Sequence, residues 1–183
     1  SHAPQIVLYS PAMTNRRRAA ALVCTLSLAC AGALVVTQAE QSQSQTGWSR
    51  FRGPNGDGHA KGDRYPTEFG ATKNLLWKTP LPQGHSSPIV WNERIYLTAY
   101  RGEALFTIAI NRNDGKILWE RQAPETKTRI LDKRNNPASP SPALEANRIY
   151  TFFPDYGMLA YDDEGKELWK MPLGPFDNIY GMG

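Results

Sequence analysis

The chain has 183 residues, of which 40% are hydrophobic, and a formal net charge of +4. Residues 1–39 contain three Arg and no acidic residue, so the remainder carries 18 Lys and Arg against 17 Asp and Glu. The basic charge therefore belongs to the first 39 residues, and we predict no nucleic-acid partner. Both cysteines, Cys24 and Cys30, lie in the same region, which excludes disulfides and cysteine metal sites from the rest of the chain.

An export leader is predicted over residues 13–39. Residues 1–12, ahead of the first methionine, are interpreted as a doubtful upstream extension. Met13 is followed by three arginines at residues 16–18 and then by an apolar stretch at residues 19–36. Residues 37–39 have the small residues that a signal peptidase recognises, so Glu40 is the predicted first mature residue.

Three alternatives to a cleaved signal stay open. The 18 apolar residues at 19–36 lie at the lower edge of what spans a bilayer, so the segment could be a retained membrane anchor. Cys30 follows Ala29, as in lipoprotein signals, but the usual leucine three positions upstream is replaced by Ser27. The arginines suggest twin-arginine export, whereas the alanines after them favour ordinary secretion. Each alternative predicts a periplasmic, secreted or membrane-anchored protein.

Residues 48–183 are predicted to form an all-β domain after a polar linker at residues 40–47. The domain is dense in turn residues and short apolar runs, and it has no stretch of helical periodicity. Its predicted strands, in chain order, cover residues 88–91, 94–100, 104–110, 116–122, 142–145, 148–153, 158–161 and 166–171.

The eight strands make two copies of one unit. Residues 94–119 read RIYLTAYRGEALFTIAINRNDGKILW, and residues 148–169 read RIYTFFPDYGMLAYDDEGKELW. Each copy has an Arg-Ile-Tyr strand, an Ala-x-(Asn/Asp) run, a Gly-Lys turn and a closing Leu-Trp. Because the strands carry apolar residues on both faces, the sheets need cover on both sides, which a radial stack supplies. We therefore predict a β-propeller with four-stranded antiparallel blades, two of them complete and another in part.

One motif carries a resemblance to a known family. Residues 109–119, AINRNDGKILW, resemble the tryptophan-docking motif of the pyrroloquinoline-quinone-type (quinoprotein) β-propellers. The second copy, residues 160–169, has a turn one residue shorter, and Trp77 stands where the closing tryptophan of a preceding blade is expected. Residues 48–58, WSRFRGPNGDG, are similar to the start of secreted quinoprotein-like repeat proteins of the bacterial envelope. The resemblance implies that residues 48–183 are an N-terminal part of a propeller truncated at its C-terminus.

The motif residues have structural roles of their own. Gly115 and Gly165 provide the positive φ that a tight hairpin needs. The side chains of Asn111 and Asp162 can accept hydrogen bonds from amides within the turn. The closing tryptophan offers a flat apolar surface to the neighbouring blade. We therefore predict that Trp119 and Trp169 hold blades together rather than stack on a cofactor.

The resemblance also implies a possible chemistry. Quinoprotein dehydrogenases of the family hold a quinone with calcium, use an Asp as base and have a vicinal disulfide over the ring. The chain has no cysteine after Cys30, and no carboxylate cluster matches the calcium ligands. The loop at residues 55–59, NGDGH, faintly suggests a calcium loop but is interpreted as a glycine-rich turn. We predict no cofactor-binding or metal residue in this part of the protein.

Histidine and serine give no catalytic pattern. His2 lies in the doubtful extension, while His59 and His85 have no second histidine or cysteine at metal-ligand spacing. The sequence His85-Ser86-Ser87 could suggest a nucleophile, but the second copy has Pro-Ser-Pro at the same place, at residues 140–142. We interpret this Ser-Pro element as the start of a blade and predict no catalytic residue.

One segment interrupts the repeat. Between Trp119 and Arg148 the chain is 12 residues longer than between Trp77 and Arg94, and the insertion lies at residues 125–136. It has four basic residues, at 127, 129, 133 and 134, against Glu125 and Asp132. A solvated loop and a partner-binding loop are the two interpretations.

Two functions follow from these observations. The preferred one is an exported, non-catalytic propeller that binds a protein or envelope polymer as a scaffold. The alternative is a quinone-dependent alcohol or sugar dehydrogenase whose active-site residues lie in blades outside this sequence, with pyrroloquinoline quinone and calcium as cofactors.

Overall fold

The computed structural model describes residues 5–9, 47–60, 65–124 and 135–173. All the regular secondary structure within those ranges consists of β-strands, as predicted. The predicted leader and most of the linker lie outside them. The strands are β1 (Gln5–Tyr9), β2 (Leu75–Pro80), β3 (Ile89–Trp91), β4 (Arg94–Arg101), β5 (Ala104–Asn111), β6 (Ile117–Gln122), β7 (Ala143–Glu145), β8 (Arg148–Phe153), β9 (Gly157–Tyr161) and β10 (Glu167–Pro172).

Strands β3 to β10 form two four-stranded antiparallel sheets. The first blade has the order β3-β4-β5-β6 and the second has the order β7-β8-β9-β10. In each, every strand pairs with its neighbour in sequence, because tight turns connect them. The predicted strand positions are confirmed to within one residue or two at each end. The chain is therefore an all-β protein with four-stranded propeller blades.

The two blades pack face to face around a shared core. One cluster joins Tyr96 and Trp119 of the first blade to Ile149, Phe153 and Tyr161 of the second. On the opposite face of the first blade a second cluster contains Trp77, Ile95, Leu97 and Ile108, among others. Strand β5 is accordingly buried at six consecutive positions. The predicted need for cover on both faces is confirmed in this blade.

Strand β2 belongs to a blade that precedes the first. Its partner is β1, in a two-stranded antiparallel sheet. Trp77 lies in β2, as Trp119 lies in β6 and Trp169 in β10, so its predicted place as the closing tryptophan of a preceding blade is confirmed. The pairing shows that residues 5–9 contact the blades. Their interpretation as an upstream extension stays a prediction.

The segment at residues 47–53 ties together the inner strands of both blades. Trp48 exchanges two backbone hydrogen bonds with Val90 of β3, at 2.7 and 2.9 Å. The next residue, Ser49, accepts a hydrogen bond from the amide of Leu144 in β7 at 2.8 Å. Sequence reasoning recognised this segment as a family signature but assigned it no contact. Its position shows that it bridges β3 and β7, the first strands of the two blades.

Candidate functional site

The most specific contact between the two complete blades is made by Trp119. Its ring is 7% exposed, and its Nε1 donates a hydrogen bond to the carbonyl oxygen of Asp163 at 2.9 Å. The rings of Tyr96 and Tyr161 flank the indole, each with its centroid 5.9 Å away. A buried indole whose N–H has an acceptor is a stable arrangement. The predicted blade-packing role of Trp119 is confirmed.

Trp77 makes the same contact one blade earlier. Its Nε1 donates to the carbonyl oxygen of Arg112 at 2.9 Å, and Thr79 donates its hydroxyl to the carbonyl of Gly115 at 2.6 Å. Trp169 occupies the third equivalent position and is 39% exposed. It packs against Tyr150, with the ring centroids 6.0 Å apart. Within the described residues, two of the three closing tryptophans are therefore docked on a following turn.

The turns that receive the indoles are built as predicted. Gly115 and Gly165 have φ values of +75° and +78°. The carboxylate of Asp162 accepts from the amides of Lys166 at 2.8 Å and Glu164 at 3.1 Å. Asn111 accepts from the amide two residues later, at 2.8 Å. These bonds fix the turn before the neighbouring tryptophan packs on it.

Two arginines of the first blade also hold the turn of the second. Arg94 donates to the carbonyl of Asp163 and forms an ion pair with Glu164, at 2.5 Å. Arg121 donates from Nε to the carbonyl of Gly165 at 2.6 Å. The turn of the second blade is thus held by three side chains of the first, the two arginines and Trp119. Sequence reasoning did not single out Arg94, although its repetition as Arg148 was a usable signal.

A cavity of about 340 Å³ opens between the blades beside this turn. Trp91 lines the cavity and donates a hydrogen bond from Nε1 to Asn147 Oδ1 at 2.9 Å. Some polar groups of the residues that line the cavity already have hydrogen-bond partners, since the Glu93 carboxylate accepts a hydrogen bond from Asn113. The cavity is lined by Trp91, Asn92, Glu93, Arg94, Asn111, Leu118, Asn147 and Asp163.

Three exposed leucines recur in equivalent places. Each comes immediately before a closing tryptophan: Leu76 is 50% exposed, Leu118 44% and Leu168 42%. Each is also the extra residue of a β-bulge, because the register passes from its preceding to its following residue without pairing it. A bulge re-aims a side chain out of the normal alternation. We call Leu76, Leu118 and Leu168 the leucine row.

The Ser-Pro element serves to anchor the blades. Ser86 donates its hydroxyl to the carbonyl of Thr98 and accepts from the amide of the same residue, both at 3.0 Å. Ser141 of the second copy accepts from the amide of Ser87 at 2.8 Å. The Ser86 hydroxyl therefore bonds to the backbone of its own blade, and the Ser141 hydroxyl bonds to the backbone of the preceding copy. The interpretation of this element as structural is confirmed.

The glycine-rich loop closes on itself. Asp57 accepts a hydrogen bond from the amide of His59 at 2.9 Å, which is an ordinary Asx turn. Among the described residues, no three His, Cys, Asp or Glu side chains come together to hold a metal ion. No described helix is long and apolar enough to cross a membrane.

Most of the predicted insertion loop, residues 125–134, lies outside the described residues. The four basic residues of the loop also lie outside the described residues, so the choice between a solvated and a partner-binding loop stays a prediction. At the end of the insertion, Asn136 is buried and accepts a hydrogen bond from the amide of Ala138 at 3.0 Å. The chain thus re-enters the blade structure at a fixed point.

Comparison with known proteins finds one family model and several solved structures that are similar to this chain. A family model described as outer membrane protein assembly factor BamB, of the PQQ-like repeat type, matches residues 67–179. Nineteen chains of solved structures match the chain. One of these, a europium-containing methanol dehydrogenase, has 21% sequence identity and a TM-score of 0.31 over 54% of this chain. The match spans 19% of the dehydrogenase's own length. No curated protein matches the sequence.

Proposed function

Since the chain belongs to the PQQ-like repeat family whose model is described as outer membrane protein assembly factor BamB, we propose that it is an exported, non-catalytic binding module of the cell envelope. The predicted leader at residues 13–39 supports export, and the description of the family supports an envelope location. The propeller blades serve as the rigid support, and the binding surface lies on their outer strands.

The observation that carries the proposal is the leucine row. Isolated exposed leucines are common on protein surfaces and require no explanation. Three leucines at the same bulge of three successive outer strands form a repeated apolar feature. All three leucines of the row are exposed, while the tryptophans that follow Leu76 and Leu118 dock inward. Repeat proteins use such regular surfaces to bind partners.

The surroundings of the row support a protein partner. Leu118 also lines the cavity between the blades, together with Trp91, Glu93 and Asp163. An apolar anchor beside an aromatic ring and polar groups is the usual composition of a protein interface. We infer that partner side chains contact the row and enter the cavity at its centre.

The test compares two variants of the full chain in cross-linking with envelope extracts. Leu118→Ser/Leu168→Ser removes two members of the row, while the control Phe51→Ser/Tyr65→Ser removes two aromatic side chains elsewhere that are more exposed than the leucines. We expect the first variant to lose at least tenfold in the yield of a defined cross-linked protein and the control to keep it. Equal yields from both would contradict the role of the row.

Two further measurements test the remainder of the proposal. N-terminal sequencing of protein from fractionated cells should give Glu40 in the periplasmic or secreted fraction; a cytoplasmic protein with residue 1 intact would contradict export. Dye reduction with pyrroloquinoline quinone, calcium and an alcohol panel should show no turnover. Turnover would replace the binding function by that of a dehydrogenase.

A further inference from the structure

Two asparagines that line the cavity between the blades hold their carboxamide groups in a fixed orientation. Asn147 Oδ1 accepts a hydrogen bond from Nε1 of Trp91 at 2.9 Å, and Asn111 Oδ1 accepts one from the backbone amide of Asn113 at 2.8 Å. An indole N–H and a backbone N–H can only donate, so each carboxamide must place its oxygen against them. The Nδ2 groups of both asparagines make no hydrogen bond to any described residue. They are therefore available as donors to a ligand.

The same cavity has hydrogen-bond acceptors without partners. Glu93 and Asp163 line it, and neither forms an ion pair with a described residue. The Oε2 atom of Glu93 accepts from the side chain of Asn113, which leaves Oε1 without a partner among the described residues. At Asp163 it is the backbone carbonyl that accepts from Arg94 and Trp119, and the carboxylate accepts from no described group. The cavity thus offers donors and acceptors together.

The positive charge in the wall of the cavity is already paired. Arg94 is the one cationic residue in that wall, and it donates to the carbonyl of Asp163 and forms an ion pair with Glu164 at 2.5 Å. A ligand carboxylate or phosphate would therefore meet two carboxylates and no unpaired cation. A lysine or arginine side chain can only donate, so it would leave the two carboxamide N–H groups without an acceptor. Charged groups of either sign are a poor match.

A neutral primary carboxamide matches the cavity in kind and in number. It has two N–H donors for the two carboxylates and an oxygen that accepts two hydrogen bonds from the two asparagines. The volume of about 340 Å³ lies in the range of roughly 300–1,000 Å³ found for small-ligand sites. Trp91 and Leu118 also line the cavity and provide apolar contact for the methylene groups that carry the carboxamide.

We propose that the cavity binds an asparagine or glutamine side chain of the partner protein and discriminates against charged side chains. The N–H groups of the carboxamide donate to Glu93 and Asp163, and its oxygen accepts from Asn111 and Asn147. This inference rests on the proposed function, since Leu118 belongs both to the leucine row and to the wall of the cavity.

The first test follows the Nε1–H resonance of Trp91 by NMR in the isotope-labelled full chain, with the resonance assigned by its loss in Trp91→Phe. The probes are the peptide Ac-Leu-Gly-Gln-Gly-Leu-amide and two peptides with Lys or Glu in place of Gln. We expect the Gln peptide to shift the resonance saturably. The Lys and Glu peptides should bind at least tenfold more weakly, because each leaves groups of the cavity without a partner. Equal binding of the three peptides, or no binding of the Gln peptide, would overturn the inference.

A nearly isosteric substitution should change the ranking of the peptides. Asn147→Asp keeps one oxygen for Nε1 of Trp91 and replaces the Nδ2 donor by a second acceptor. The Lys peptide should then bind at least as tightly as the Gln peptide. The matched control Asn55→Asp adds the same charge at an exposed position in the glycine-rich loop and should keep the ranking of the parent. An unchanged ranking in Asn147→Asp would show that the cavity does not read the carboxamide.

Two further outcomes separate this inference from its neighbours. If the leucine row were not a binding surface, Leu118→Ser/Leu168→Ser would bind the Gln peptide as tightly as the parent does. If the row binds but the cavity does not select a carboxamide, that variant loses affinity for all three peptides equally. N-acetylglucosamine is the probe for a saccharide. A larger shift of the Trp91 resonance with this sugar than with the Gln peptide would assign the cavity to a saccharide and overturn the inference.

Discussion

Trp119 and Gly165 belong to different blades, yet they approach so closely that no side chain fits between them. A Cβ added to Gly165 would lie 2.6 Å from Cδ2 of the indole. One blade earlier, a Cβ on Gly115 would lie 2.5 Å from Cε3 of Trp77. Each turn therefore requires its glycine for two reasons: the backbone has a positive φ, and the indole occupies the space where a side chain would lie. This contact is the repeated joint of the blades.

Replacement of the buried indole should cost far more than replacement of the exposed one. Trp119→Ala removes a docked ring with its hydrogen bond, and we expect a loss of about 3–5 kcal/mol in the free energy of unfolding. Trp169→Ala removes a ring that is 39% exposed and should cost about 1 kcal/mol or less. Urea unfolding followed by circular dichroism measures both. Equal losses would show that docking does not stabilise the joint.

Two glycines separate the effect of space from that of backbone conformation. Gly165 and Gly102 both have positive φ, at +78° and +62°, but Gly102 has nothing within 4 Å of an added Cβ. Gly102→Ala should therefore cost about 1–2 kcal/mol from backbone strain alone. Gly165→Ala should cost about 1–3 kcal/mol more, because the indole of Trp119 must move. Thermal unfolding and Trp fluorescence report the loss and the displacement. The same cost at both sites would contradict the close contact.

A buried pair of hydroxyls links the central strands of the two blades. Thr107 donates to Thr151 at 3.2 Å, and its side chain also bonds to Tyr161. Thr107→Val leaves two buried groups short of a partner, so we expect a loss of about 1–3 kcal/mol. The double variant Thr107→Val/Thr151→Val should cost less than the two single losses together, since it removes both members of the pair. A double-mutant cycle in urea measures the coupling. If the loss in the double variant equals the sum of the two single losses, the two hydroxyls are not coupled.

Stability should fall in alkaline solution. Burial raises the pKa of both Tyr96 and Tyr161 from 10.0 to about 12. Below pH 10 both phenols are neutral in folded and unfolded chains, so their contribution is fully present. Between pH 10 and 12 the unfolded chain loses these protons first, which lowers the free energy of unfolding as the pH rises.

Urea midpoints measured from pH 9 to 12 test this sign. Tyr96→Phe/Tyr161→Phe cannot ionise and should show a shallower decline than the parent. The variant Tyr65→Phe, which changes an exposed phenol, is the matched control and should follow the parent. A steeper or identical decline in the double variant would exclude the two buried phenols as the cause.

Sequence alone was sufficient for the strands, the repeat and the docking tryptophans. Turn residues act locally, so the Gly-Lys turns at Gly115 and Gly165 could be located without knowledge of the fold. The repetition of Leu-Trp then identified the outer strands, and apolar residues on both strand faces predicted stacked sheets. These features depend on neighbours within one blade, which the linear sequence displays.

Only the tertiary structure determined which segments far apart in sequence contact each other. The pairing of Trp48 with Val90, and that of β1 with β2, join residues far apart in sequence with no turn to predict them. The bulge at Leu118 likewise depends on the register of β6 with β5, which skips this residue. The apolar leucine before each tryptophan was visible in the sequence as part of the strand. Its place as the unpaired residue of a bulge is a property of the paired sheet, since only the register with the neighbouring strand leaves it without a partner.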